Sequence, residues 1–124
     1  MIKLQHDLLT SKYTAVYHES DCKFNAPHHF VVCSSDRMNC ADPQYDYVCK
    51  VDFQEGPIKE FGVNGACNED VIAMVIARLE GFQKSEFACR ENAIAITKLE
   101  EALLWLRKRT MGRENRGVEG THEK

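Results

Sequence analysis

The sequence predicts an α+β protein in which an N-terminal antiparallel β-sheet is followed by a C-terminal helical hairpin with one long helix. Three observations carry that reading. Tyr45, Tyr47, Cys49, Val51 and Phe53 alternate with Asp46, Val48, Lys50, Asp52 and Gln54, the period of a half-buried strand. From Asn68 the period changes, and Ile72, Val75, Ile76 and Leu79 recur at helical spacing. Beyond Cys89, the residues Asn92, Ile96, Leu99, Leu103, Leu106 and Thr110 repeat at intervals of 4, 3, 4, 3 and 4, a heptad-like seam.

Taken in order, Thr14-Ala15-Val16-Tyr17 and Phe30-Val31-Val32-Cys33 are short β-prone runs. The stretch between Ser34 and Gln44, with Asp36, Asn39, Asp42 and Pro43, is a connection leading to the strand at 45–53. Gly56-Pro57 ends that strand, and Ile58 to Phe61 is read as a further short strand. Gly62-Val63-Asn64-Gly65 is a turn of residues that tolerate positive φ. A first helix starts with Asn68 as N-cap, carries Glu69 and Asp70 in its first turn and runs to about Phe82. The second extends from about Cys89 past Arg113, about twice the length of the first. Residues 1–124 thus form one domain, with a sheet part over 1–61 and a helical hairpin over 62–124. The tail Gly117-Val118-Glu119-Gly120-Thr121-His122-Glu123-Lys124 has little to bury and is read as a frayed terminus.

Composition excludes several functions. Hydrophobic residues make up 44% and charged residues 28%, enough to build a core without staples. The net charge of −3 repels nucleic acid, so no general DNA binding is expected. No apolar run approaches the ~20 residues needed to cross a bilayer, and MIKLQHDLL lacks a signal-peptide block, which points to a soluble protein of the cytoplasm. The six cysteines are then free thiols.

Candidate chemistry is sparse. Cys22, His28, His29, Cys33 and Cys40 fit no usual zinc spacing, so no metal is expected, and no cofactor either. Cys67 and Cys89 lie near helix starts, where a dipole lowers a thiol pKa, but without a marked base they are read as small buried side chains. Glu69/Asp70 and Glu100/Glu101 are adjacent on helices and diverge, so no catalytic residue is assigned. The turn at Gly62–Gly65 lacks a full phosphate-binding pattern. Charge gathers instead in residues 102–116, where Arg107, Lys108, Arg109, Arg113 and Arg116 stand against Glu114 alone. Arg109 and Arg113 share a helical face and offer two guanidinium groups suited to a diphosphate. The same cluster equally serves to complement a helix C-terminus. Phe82 and Asn92 flank the interhelical turn, where an aromatic face and a carboxamide can stack on and hydrogen-bond a purine, or simply be a core Phe beside a first-turn Asn.

The segments Gly56-Pro57-Ile58-Lys59-Glu60, Gly62-Val63-Asn64-Gly65, Asn68-Glu69, Gly81-Phe82-Gln83, Phe87-Ala88-Cys89, Glu91-Asn92-Ala93 and Arg116-Gly117-Val118-Glu119-Gly120-Thr121-His122 resemble the helical hairpin of the Thoeris anti-defence 1 family of phages. The resemblance implies a small antiparallel sheet before the hairpin and a non-enzymatic sponge acting in the host bacterial cytoplasm. Such a sponge binds the Thoeris signal glycocyclic ADP-ribose (gcADPR) and withholds it intact from the effector. It further implies that Phe82 stacks on the base, Asn92 hydrogen-bonds the ligand, and Arg109 with Arg113 holds the pyrophosphate. The related hairpin of anti-CBASS sponges adds cyclic oligonucleotides to the ligand classes.

Helix geometry sets a further constraint. The 17 residues from Asn92 to Arg109 place them ~25 Å apart on one helix, too far for one cyclic dinucleotide. The longer helix also outruns its partner, leaving an apolar stripe for a second copy, in a homodimer or an assembly of dimers. Two long helices paired antiparallel about a twofold near Leu99 and Leu103 bring Phe82 and Asn92 of one chain to Arg109 and Arg113 of the other. The competing readings are a nucleotide-degrading enzyme, with His122 or a cysteine beside the arginines, and a nucleic-acid module using Arg107 to Arg116.

Overall fold

The computed structural model describes residues 1–35 and 43–124, and the class is α+β as expected. Cys40, Asp36, Asn39 and Asp42 of the expected connection lie outside the described residues. The chain forms two compact units, Met1–Gly65 and Ala66–Lys124.

The first unit is a four-stranded antiparallel sheet in chain order: β1 (Ile2–Lys3), β2 (Thr14–His18), β3 (His29–Ser34) and β4 (Cys49–Asp52). β2 and β3 coincide with the two short β-prone runs. Their register sets Ala15 opposite Cys33 and Tyr17 opposite Val31. Ala15, Val31 and Cys33 are buried, because alternate side chains of a strand share one face. Phe30 packs edge-on against Phe53 at 5.6 Å, a geometry that aromatic quadrupoles favour.

Two expectations for this unit fail. The alternating run 45–53 yields a strand only over Cys49–Asp52, which pairs with β3 from His29 to Val32, although β3 itself continues to Ser34. Tyr45, Tyr47 and Val48 are exposed, so the alternation upstream of Cys49 has no buried face to specify it. Ile58–Phe61 is a four-residue helix, α1, not a strand. Pro57, with φ −62°, is set for a helix start and its carbonyl accepts from Glu60 and Phe61, while Gly62 at φ 73° ends the turn. β1, only two residues long, has no sequence signal at all.

Side chains close the connections. The Glu19 carboxylate accepts the backbone N–H groups of His28 at 3.1 Å and His29 at 3.0 Å, clasping the turn between β2 and β3. Asn64 accepts the N–H of Glu55 and donates to its carbonyl, both at 2.8 Å. Gly65 lies so close to β4 that a Cβ there would overlap the Phe53 carbonyl group.

The second unit is the hairpin of α2 (Asn68–Gln83) and α3 (Arg90–Asn115). Both helices start on a cysteine. Cys67, not Asn68, is the first N-cap, and its N–H donates to Asp70 Oδ2 at 2.9 Å. Cys89 caps α3, its sulfur accepting from the N–H of Asn92 at 3.4 Å. Both cysteines are exposed, against the expectation of burial, because a cap position lies outside the helix's packed face.

Ile72, Ile76 and Leu79 of α2 turn inward and only Ile76 is buried, the other two being half-buried, while Val75 points out. On α3 the whole predicted seam is half-buried, from Asn92 through Ile96, Leu99, Leu103 and Leu106 to Thr110. With 26 residues against 16, α3 overshoots α2 by ~15 Å. The tail folds back beside that overhang and is not frayed: Val118, Glu119, Gly120 and Thr121 are half-buried, and Arg113 reaches the carbonyls of Val118 and Thr121. Composition misses this because the tail is held by backbone acceptors and not by apolar side chains. No helix among the described residues is long and apolar enough to cross a membrane.

Candidate functional site

The far end of α3 and the tail enclose an open cleft of about 620 Å³ lined by Trp105, Lys108, Arg109, Gly112, Arg113, Arg116 and Lys124. Helical spacing puts Trp105, Arg109, Gly112 and Arg116 within reach of one groove, and Gly112 leaves room between the two arginines. Five of the lining side chains are cations, and none is acidic. Arg107, counted in the basic cluster from sequence, turns away and pairs with Glu114 at 3.1 Å. What remains is a one-sided positive cleft, and it contains the predicted Arg109 and Arg113.

The two arginines differ in restraint. Arg109 is exposed, and no hydrogen bond or ion pair holds it to another described residue. Arg113 is half-buried, and its Nη2 donates to the carbonyls of Val118 at 3.0 Å and Thr121 at 3.1 Å. Lys108 sits over the Trp105 ring at 4.9 Å, a cation–π contact on a ring that is otherwise 67% exposed. Sequence reasoning missed Trp105, Gly112 and Lys124. Trp105 lies four residues before Arg109, and that offset was the available signal.

Phe82 and Asn92 flank the interhelical turn at the other end of α3. Gln83 braces this turn, accepting from the N–H of Cys89 at 2.9 Å and donating to its carbonyl at 3.0 Å. Phe82 is 36% exposed, with the Arg78 guanidinium 5.1 Å from its ring centroid. Asn92 is half-buried and is fixed through its backbone at the cap. Since α3 is unbroken from Arg90 to Asn115, Asn92 and Arg109 stand ~25 Å apart. One hairpin brings Arg109 to Arg113 and sets Phe82 and Asn92 at one turn, but it does not bring the two pairs together.

The sheet unit holds the other titratable cluster. His29 Nδ1 meets Asp52 Oδ1 at 2.8 Å, and its Nε2 meets Glu55 Oε2 at 2.5 Å. With a carboxylate at each ring nitrogen the imidazolium is favoured, and the hydrogen bond to Asp52 is the main cause of a raised pKa. Metal-type donors converge elsewhere than the sequence pairing weighed: His18, Glu19 and Cys22 lie with ligand atoms within 4.8 Å of one another. The Glu19 carboxylate is already taken by two backbone N–H groups, which accounts for its position. Partial desolvation of this exposed cap residue, then the charges of Asp70 and Glu69, raise the Cys67 thiol pKa, opposite to the direction an activated nucleophile needs.

Comparison with known proteins places this arrangement. The family described as "Acb2/Tad1, hairpin domain" matches residues 46–111, which include Phe82, Asn92 and Arg109. The chain is also 53% identical to "Thoeris anti-defense 1" of Bacillus phage SBSphiJ7, with the whole of both chains covered. A short sheet followed by this helical hairpin is therefore a member's architecture, and the chain belongs to the Thoeris anti-defense 1 family with its Acb2/Tad1 hairpin domain.

Proposed function

We propose that this protein is a phage anti-Thoeris sponge that binds gcADPR in the host bacterial cytoplasm and withholds it, uncleaved, from the effector. The observation that carries the reading is the basic cleft: permanent cations, a tryptophan and a glycine line it. Such groups neutralise a diphosphate and offer nothing that shuttles a proton near neutral pH. Sequestration works by mass action and needs affinity and copy number, not a nucleophile.

In this reading Phe82 stacks on the adenine, Asn92 hydrogen-bonds the ligand, and Arg109 and Arg113 hold the pyrophosphate. The ~25 Å between the two pairs makes the site a shared one. Two chains with their long helices antiparallel, about a twofold near Leu99 and Leu103, form two composite sites. Exposed Leu104, Trp105 and Met111 on α3, and Met74 and Val75 on α2, support a second copy, since two helices with Ile76 as their one buried residue leave much apolar surface in water.

The experiment separates capture from cleavage. Purified protein is incubated with gcADPR, depletion from solution is measured, the protein is heat-denatured, and the supernatant is analysed by mass spectrometry. Recovery of intact gcADPR is expected; a changed product replaces the sponge with an enzyme. Cyclic oligonucleotides run as competitors in the same assay show whether they share the site.

A further inference from the structure

The tail is better ordered than a helix stop requires. Stopping α3 takes Gly117 at φ 73°, with its N–H on the Glu114 carbonyl and the Val118 N–H on the Arg113 carbonyl, both at 3.0 Å. The chain nevertheless turns again. Gly120 takes φ 74°, the Thr121 N–H donates to the Val118 carbonyl at 3.1 Å, and the Thr121 hydroxyl donates to the same oxygen at 2.5 Å. That carbonyl also accepts from Arg113 Nη2, and the carbonyl of Thr121 is the second acceptor of the same nitrogen. The second turn therefore presents two carbonyls to one guanidinium.

We infer that the tail segment 117–121 is a positioning element for Arg113, so that the arginine pair of the basic cleft joins a pre-set cation, Arg113, to one whose side chain no bond restrains, Arg109. The inference rests on the sponge reading for its ligand. A guanidinium carries five N–H donors; with Nη2 turned to the tail, Nε and Nη1 supply those left for an anion. A long cation fixed before binding loses less side-chain freedom when the anion arrives. The anion chemistry is that of a diphosphate, and the positioning residues are Gly120 and Thr121, neither of which needs to touch it.

Two variants test this. Gly120→Val disfavours the positive-φ turn, and Thr121→Ala removes the hydroxyl from the Val118 carbonyl with little risk to folding. The first readout needs no ligand: side-chain nitrogen NMR of the free protein should show resolved Arg113 Nη signals that average together in either variant. Averaged signals in the unmodified chain overturn the inference. The second readout is gcADPR affinity in a double-mutant cycle with Arg113→Lys. Each tail change should weaken binding on the order of tenfold alone and add little when combined with Arg113→Lys. Unchanged affinity, or an equal loss with and without Arg113→Lys, overturns the inference. If the unmodified chain fails to bind gcADPR while the Arg113 signals behave as expected, the ligand assignment fails and the positioning role stands.

Discussion

A shared site makes a quantitative prediction that a single-chain site cannot. Asn92→Ala removes one half of the proposed site and Arg109→Ala the other, and α3 is continuous between them over 17 residues. Losing the hydrogen bond to the charged diphosphate in Arg109→Ala costs about 1.5–3 kcal/mol, and leaving a buried ligand group unpaired in Asn92→Ala about 1–3 kcal/mol, so either variant alone loses roughly 10- to 100-fold in affinity. Titrations run between the intact and the weakened Kd then read only intact sites. Co-refolding equal amounts gives heterodimers in about half of the pairs, and each heterodimer carries one intact and one doubly damaged site. The mixture should therefore recover about one quarter of the unmodified capacity while each variant alone shows almost none. Calorimetric stoichiometry reads this directly, with native mass spectrometry counting the heterodimers. Heterodimers that form and still bind nothing refute the composite geometry.

Three further outcomes follow from local structure. Gly65→Ala forces a Cβ into the space of the Phe53 carbonyl group, and urea denaturation should show a loss of about 1–3 kcal/mol. At the α3 cap, where the Cys89 sulfur accepts the Asn92 N–H at 3.4 Å, Cys89→Ser should raise stability and Cys89→Ala should lower it in the same assay. The spread between those two variants is about 1 kcal/mol, because oxygen is the stronger acceptor and alanine offers none. His29 has a raised folded pKa, so its stabilising contribution is complete below about pH 6.5 and is lost as pH rises through the folded value. Thermal melts across that range should show the slope, and His29→Gln should flatten it; Asp52, Glu55 and Glu19 face the ring, while Lys50 shares Asp52 at 3.7 Å.

The hairpin was legible because its periodicity is long and its caps are local. The seam from Asn92 to Thr110 is half-buried at every predicted position, and the helix ends fall within about a residue or two of those expected. The sheet was legible where two strands face each other, as in β2 and β3, and illegible where an alternating run has no buried face to specify it. Residues 45–48 alternate as well as 49–53 do, yet Tyr45, Tyr47 and Val48 stay exposed, so their pattern has no core to face even though β3 runs on to Ser34. Phe82, Asn92, Arg109 and Arg113 were named from sequence chiefly through family resemblance. The structure places Arg109 and Arg113 in one cleft with Trp105 and Lys124, and Lys124 comes from a tail whose folding depends on backbone carbonyls that no residue type announces.

The proposed split of the site into a diphosphate half and a base half at the two ends of one helix has a thermodynamic consequence. In the proposed assembly a lone hairpin holds either half but not a whole site, so ligand capture and chain association are linked. Ligand that binds only the dimer stabilises it by RT ln(1 + [L]/Kd) at each site, about 2.7 kcal/mol when free ligand is a hundred times Kd. Sedimentation at falling protein concentration should then show gcADPR shifting the midpoint of dissociation downward. Capture should also weaken once the unliganded chain is diluted into monomer. Capture that survives unchanged in a demonstrably monomeric sample breaks this linkage, and with it the reason for reading the exposed face of α3, from Leu104 to Met111, as the seat of a second copy.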